Sequence, residues 1–197
     1  MSEASSDHRV ILASSSPRRR ELLSQAGIQF AVIVSGCDET PLPNESACEM
    51  VERLALVKAQ AVADAEGDAF VIGADTTVFI DGEALGKPTS ESEACRMLGK
   101  IQGRTHEVWG GIAIVNKSKG LVHVWSHMTK VTMASMSPET VSWYVQSGEP
   151  MDKAGAYAIQ GLGLQFVHSV EGSYSNVVGL NISSLVQMLR ELGVGRE

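Results

Sequence analysis

The chain has 197 residues, 44% of them hydrophobic, which is enough for a real core in one compact domain or two closely packed lobes. A formal net charge of −7 excludes a general nucleic-acid binder, which needs a broad surplus of Lys and Arg, so any phosphate site must be local. Cys37, Cys48 and Cys95 lack C-x-x-C spacing and fit reduced thiols, the first eight residues hold no apolar signal core, and no apolar run approaches the roughly 20 residues of a membrane span; the expected setting is the cytoplasm.

In chain order, residues 10–13 form a short apolar run that reads as a strand. A serine-rich loop and a helix follow: the serines supply N-cap oxygens, Pro17 suits the first helical turn and Gly27 stops the helix. Arg18, Arg19 and Arg20 stand at the N-terminus of this helix, against the positive end of its dipole, a placement that is unfavourable unless an anion is bound there. In an acidic chain it points to phosphate. Residues 28–34 read as a second strand and 35–45 as a polar loop carrying Asp38 and Glu39. The spacing of Ala47, Val51, Leu54, Ala55, Ala61, Val62 and Ala65 predicts a helix from Ser46 onward that contains Lys58.

Residues 70–78 are an apolar run interrupted by Asp75, the pattern of a strand that delivers a carboxylate to a cleft. Asp81-Gly82 is a strong turn signal, and the hairpin it makes is expected to bring Asp75 and Lys87 together. Ala94, Met97, Leu98 and Ile101 predict a helix over 90–101 with Gly103 as its stop. Residues 105–133, rich in Val, Ile, Thr and Trp, read as two long antiparallel strands joined by a turn at 116–120. His123 and His127 share one face of the second strand, which disfavours a metal site there. Ser137 and Pro138 open a helix that Gly148 ends. Residues 151–163 carry Gly155, Gly161 and Gly163 among polar and small residues, so that the backbone either approaches a ligand closely or forms a tight structural loop. A strand over 165–170, a loop over 171–176 and a helix over 183–192 close the chain. This alternation predicts an α/β fold with helices packed on a sheet.

Together the candidates are cations and carboxylates with no Ser-His-acid or Cys-His arrangement, a combination that suits a phosphate-ester or nucleotide enzyme working with a divalent ion. Neither G-x-x-x-x-G-K-[ST] nor G-x-G-x-x-G occurs, so a kinase or dinucleotide reading has no support.

Four segments carry a more specific signal. Leu12-Ala13-Ser14-Ser15-Ser16-Pro17-Arg18-Arg19-Arg20-Glu21-Leu22-Leu23, Gly73-Ala74-Asp75-Thr76 with Gly86-Lys87-Pro88, Asp152-Lys153-Ala154-Gly155-Ala156-Tyr157 with Ile159-Gln160-Gly161, and Gly172-Ser173-Tyr174-Ser175-Asn176-Val177-Val178-Gly179-Leu180 resemble, in order, the Maf family of nucleoside triphosphate pyrophosphatases. The resemblance implies a mixed sheet with flanking helices in an elongated, two-lobed fold like that of the inosine triphosphatases, with a central cleft. It divides the chain into a flexible tail, 1–9, and a single catalytic domain, 10–197. It further implies hydrolysis of a nucleoside triphosphate to the monophosphate and pyrophosphate with Mg²⁺ or Mn²⁺. Carried over by position, Asp75 is the proton acceptor and, with Glu39, a metal-associated acid, while Ser14, Arg18, Arg19, Lys58 and Lys87 hold the phosphates.

Arg18, Thr76 and Gln160 match the dTTP/UTP subgroup; the 7-methyl-GTP subgroup has tryptophan, glutamine and glutamate at these places. The neutral amide of Gln160 can both donate to and accept from a pyrimidine edge. A homodimer is implied, without stable nucleic-acid or membrane binding. Two positions depart from the family pattern: Trp109 before Gly110-Gly111, close to the expected cleft, and Asn181, where proline is common. Two other readings stand beside this one. The first is a nucleotide-binding regulatory protein of septum formation with little hydrolysis, and the second an enzyme selective for modified nucleotides; the resemblance allows roles in nucleotide house-cleaning and in cell-division arrest.

Overall fold

The apolar run around Asp75 folds as one continuous strand, β3 (Phe70–Ile80), and the rest of the sheet is laid out from it. A computed structural model describes residues 8–194, so the expected tail over 1–9 lies outside the described residues except for His8 and Arg9. β1 (Val10–Leu12) pairs parallel with the first third of β3, and β2 (Ala31–Val32) pairs parallel with β1. On the other edge of β3, the two long strands β5 (Thr105–Asn116) and β6 (Leu121–Met133) and the shorter β7 (Val167–Glu171) continue antiparallel. The hairpin strand β4 (Glu83–Leu85) pairs with the end of β3. The result is a mixed seven-stranded sheet ordered β2-β1-β3-β5-β6-β7, with β4 off the main path.

The strand predicted over 28–34 shrinks to two residues. β2 can pair only with β1, which gives way to the serine loop after Leu12, and Ile28 and Phe30 pack into the core. Asp81 and Gly82 both take positive φ, 50° and 77°, as a tight two-residue hairpin requires.

The helix predicted from Ser46 is α2 (Ala47–Ala63), opened by a capping box in which Ser46 and Glu49 satisfy each other's backbone N–H groups. It lies flat on one face of β3 and β5. A Cβ on Gly73 would stand 2.0 Å from the Ala55 carbonyl oxygen and one on Gly111 2.1 Å from that of Val51, so the two glycines permit this approach. The other face carries α1 (Pro17–Gln25) and α6 (Ile182–Glu191) at one end, and α3 (Glu91–Ile101) and α4 (Pro138–Gln146) at the other. These make two cores on that face: Phe70, Ile72 and Ala74 of β3 belong to the first, Val78 and Ile80 to the second, and Thr76 falls between them.

Two features went unread in the sequence. Residues 174–178, expected to begin in a loop, form a short helix, α5 (Tyr174–Val178), capped by Ser173, because the run Ser-Tyr-Ser-Asn carries no apolar period. Asn181, the departure from the family's proline, is the N-cap of α6, its side chain accepting from Ser184 N.

Candidate active site

The cleft follows from the strand pairing. β1 and β4 occupy the same edge of β3, one at Val10↔Phe70 to Leu12↔Ile72 and the other at Val78↔Leu85 to Ile80↔Glu83. Between them the edge of β3 is open, and residues 75–78 line a cavity of about 750 Å³, within the size of small-ligand pockets. Side chains alternate along a strand, so Asp75 points towards α2 and Thr76 towards α1, and the notch lets both reach one cavity.

All nine residues expected at the site line this cavity: Ser14, Arg18, Arg19, Glu39, Lys58, Asp75, Thr76, Lys87 and Gln160. Their pairing differs from expectation at Asp75. Its cation is Lys58 of α2, not Lys87 of the hairpin: Lys58 Nζ donates to Asp75 Oδ1 at 2.7 Å and to Glu39 Oε2 at 2.8 Å. Lys58 is 5% exposed and Asp75 8%, so the pair is withdrawn from solvent, while Glu39 stands outside it. Lys87 is exposed and makes no ion pair with any described residue.

Arg19 is held without a carboxylate. Its Nε donates to the Gly179 carbonyl at 2.9 Å, Nη1 to Ser14 Oγ at 3.1 Å and Nη2 to Thr76 Oγ1 at 3.2 Å, and Thr76 donates in turn to the same carbonyl at 3.2 Å. Burial lowers the pKa of this guanidinium, while Asp75 and Glu39 act in the opposite direction. Three neutral acceptors fix the group and leave its charge unneutralised, as an anion site requires. The Thr76 hydroxyl is thereby committed to Arg19 and Gly179. Arg18, by contrast, bridges the two sides of the cleft: Nη1 donates to Asp152 Oδ2 at 3.1 Å and Nη2 to the Asp152 carbonyl at 3.4 Å. Gln160 makes no side-chain hydrogen bond with any described residue.

The glycines of the 151–163 loop serve internal packing. A Cβ on Gly155 would meet Val78, one on Gly161 would meet Glu149 at 2.4 Å, and one on Gly163 would meet the Tyr144 hydroxyl at 2.5 Å. The structural-loop alternative therefore explains them without a ligand. Trp109 is not among the lining residues; its indole N–H donates to Glu107 at 2.8 Å, which removes it from the question of substrate preference.

Comparison with known proteins gives this arrangement a lineage. The model of the family described as "Maf-like protein" matches residues 9–192. The chain belongs to the Maf family. Among relatives of this Maf chain, the dTTP/UTP pyrophosphatase of Symbiobacterium thermophilum is 51% identical over 184 residues, covering 93% of this chain and 94% of that one. The dTTP/UTP pyrophosphatase of Myxococcus xanthus is 48% identical over 185 residues, covering 94% and 93%. Among solved structures, the Ham1 protein of Staphylococcus aureus superposes with a TM-score of 0.52 at 16% identity over 93% of this chain and 98% of that one, and a HAM1 protein of Coxiella burnetii with 0.51 at 14% over 93% and 99%. These two show the fold alone.

The donor set of the Maf cleft can be tested against a divalent ion. Among the described residues no group of three or more His, Cys, Asp or Glu converges as a self-sufficient metal cage. Asp75 and Glu39 meet at Lys58 Nζ, each through a single oxygen, which leaves Asp75 Oδ2 and Glu39 Oε1 without a described partner. Two carboxylates completed by phosphate oxygens and water are what Mg²⁺ or Mn²⁺ takes beside a nucleotide, so the residues fit such an ion. No helix among the described residues is long and apolar enough to cross a membrane.

Proposed function

We propose that this Maf chain hydrolyses dTTP and UTP to the nucleoside monophosphate and pyrophosphate. The observation that carries the reading is the pairing of an unneutralised, rigidly held Arg19 with the buried Lys58–Asp75 couple across one open edge of β3. The names of the relatives at 51% and 48% identity support the choice of substrate.

In this reading the triphosphate lies along the notch. Arg19 and Lys87 bind phosphate oxygens, joined by the backbone N–H groups at the start of α1, and Arg18 reaches them by exchanging Asp152 for the incoming anion. Ser14 and Thr76 hold the Arg19 guanidinium in its plane. Lys58 fixes Asp75 through Oδ1, leaving Oδ2 to take a proton from the water that attacks the α-phosphorus, with pyrophosphate leaving. Glu39, with the Asp75 carboxylate beside it, would hold a divalent ion, Mg²⁺ or Mn²⁺, which would supply additional positive charge for the phosphate oxygens. Preorganised charge of this kind is usually the largest catalytic contribution. Gln160, with its amide unspent, reads the base. The protein acts in the cytoplasm as a homodimer, and light scattering on the purified chain, which should give twice the mass of one chain, checks the dimer.

Asp75→Asn keeps the shape of the site and removes the base. We expect turnover of UTP to fall by roughly 10²–10⁴-fold with an unchanged fold by circular dichroism. Water carrying a heavy oxygen isotope should label the monophosphate. Near-wild-type turnover in Asp75→Asn would reject Asp75 as the base, and label in pyrophosphate would reject attack at the α-phosphorus.

A further inference from the structure

The loop that carries Gln160 is tied down by two side chains, Tyr144, which does not line the cavity, and Glu149, which lines it but spends both carboxylate oxygens on the loop and on Tyr144. Tyr144, on α4 and fully buried, accepts from Ala158 N at 3.1 Å and donates to Glu149 Oε1 at 2.8 Å. Glu149 then receives the far end of the loop: Leu162 N donates to Oε2 at 2.9 Å and Gly163 N to Oε1 at 2.8 Å. Burial raises the carboxyl pKa, but the Leu162 N–H, the Tyr144 hydroxyl and the Gly163 N–H outweigh it, so Glu149 is held below the usual range as an acceptor-only anion.

The backbone thus wraps the Glu149 carboxylate as such loops wrap phosphate, and the left-handed Gly161, φ 66°, makes the wrap possible. Both flanks of Gln160, at Ala158 and at Leu162–Gly163, end on one phenol–carboxylate pair, and Gln160 between them faces the cavity. We propose that Tyr144 and Glu149 are positioning residues for base selection, fixing the amide of Gln160 against the nucleobase while leaving phosphate binding and the attack on phosphorus to other groups. This rests on the reading that Gln160 contacts the base.

The test uses the full chain with UTP and CTP, whose exocyclic amine replaces the 4-keto oxygen of uracil, and with inorganic triphosphate as a base-free inhibitor. Tyr144→Phe keeps the ring packed edge-on against Phe166 and deletes the hydroxyl; Glu149→Gln keeps the shape and loses one acceptor. Each is expected to reduce the UTP-to-CTP ratio of kcat/KM by about tenfold, the size of one hydrogen bond, mainly through KM for UTP. Inhibition by inorganic triphosphate should stay within about twofold, and Tyr144→Phe/Gln160→Ala should show the same ratio as Gln160→Ala alone, since effects through one partner do not add. If Gln160→Ala changes the ratio and neither Tyr144→Phe nor Glu149→Gln does, or if the double variant is additive, the positioning role is rejected and the function stands. If Gln160→Ala leaves the ratio unchanged, the base contact itself is rejected, and the positioning role with it.

Discussion

Lys58 is the residue on which the site depends most, because it is a buried cation with a buried anion at 2.7 Å. Removing one member of such a pair leaves the other largely desolvated and without its counter-charge, which typically costs 3–5 kcal/mol. Lys58→Met should therefore lower unfolding free energy by about 3 kcal/mol in urea titrations as well as abolish turnover. Adding Asp75→Asn to it should restore part of that stability, since the stranded charge is gone. A double variant as unstable as the sum of the single ones would mean that the pair does not couple. The polar members of this site were legible because each is anomalous where it stands: an acid inside an apolar strand, arginines at the wrong end of a helix dipole. The partner of Asp75 was legible in principle too. Lys58 follows Leu54 by four and Ala55 by three, so it sits on the apolar stripe of α2, and a lysine there needs an anion. Glu149 and Tyr144 gave no comparable signal, because their partners are main-chain N–H groups, which a sequence does not distinguish.

At the scale of elements, α2 reaches the site only because β3 and β5 present glycine beneath it. Gly73→Ala puts a methyl 2.0 Å from the Ala55 carbonyl oxygen and 2.8 Å from Ala59 N, both backbone atoms that cannot turn aside. The helix has to lift, at a cost of about 1–3 kcal/mol. Lys58, less than a turn beyond Ala55, lifts with it, and a misplacement near 1 Å can cost roughly 100-fold in rate. We expect Gly73→Ala to lower kcat/KM for UTP by at least about tenfold, together with the melting temperature. Gly67→Ala, with nothing within 4 Å of the new methyl, is the control that should do neither. A Gly73→Ala enzyme as active and stable as wild type would show that the flush seat of α2 is dispensable. The long elements were readable for the same reason that they are stable: α2, α3, β5 and β6 each repeat their pattern over eleven or more residues. β2 was readable in its place but not in its extent, and α5 not at all, since a two-residue strand is bounded by its partner and a five-residue helix by its cap.

For the molecule as a whole, one sheet runs through both cores, and the second core buries a titratable group that the chemistry does not use. His106 of β5 is 2% exposed, its Nε2 2.8 Å from the Tyr157 hydroxyl and its Nδ1 without a partner among the described residues. Burial pushes its pKa down from 6.5 to about 4. In the unfolded chain the imidazole takes up a proton near its ordinary value, while the folded chain refuses it until about pH 4, so acid favours unfolding throughout that window. The linked loss approaches about 3 kcal/mol at the lower end. Carboxylates held low in the fold, such as Glu45 beside Arg53 and Asp81 beside Arg104, have ordinary values of 4.5 and 3.8, so their share is lost only towards the bottom of the window and below it. Burial lowers His127 in the same direction, so substitution is needed to separate the two histidines. His106→Gln can keep a hydrogen bond to Tyr157 and cannot titrate. Urea midpoints measured from pH 7 to 4 should fall less steeply in His106→Gln than in the wild type, the gap between the two opening below pH 6.5 and levelling off near 4. Parallel curves for the two proteins would mean that His106 is protonated in the folded chain as readily as in the unfolded one, and that the second core admits a charge.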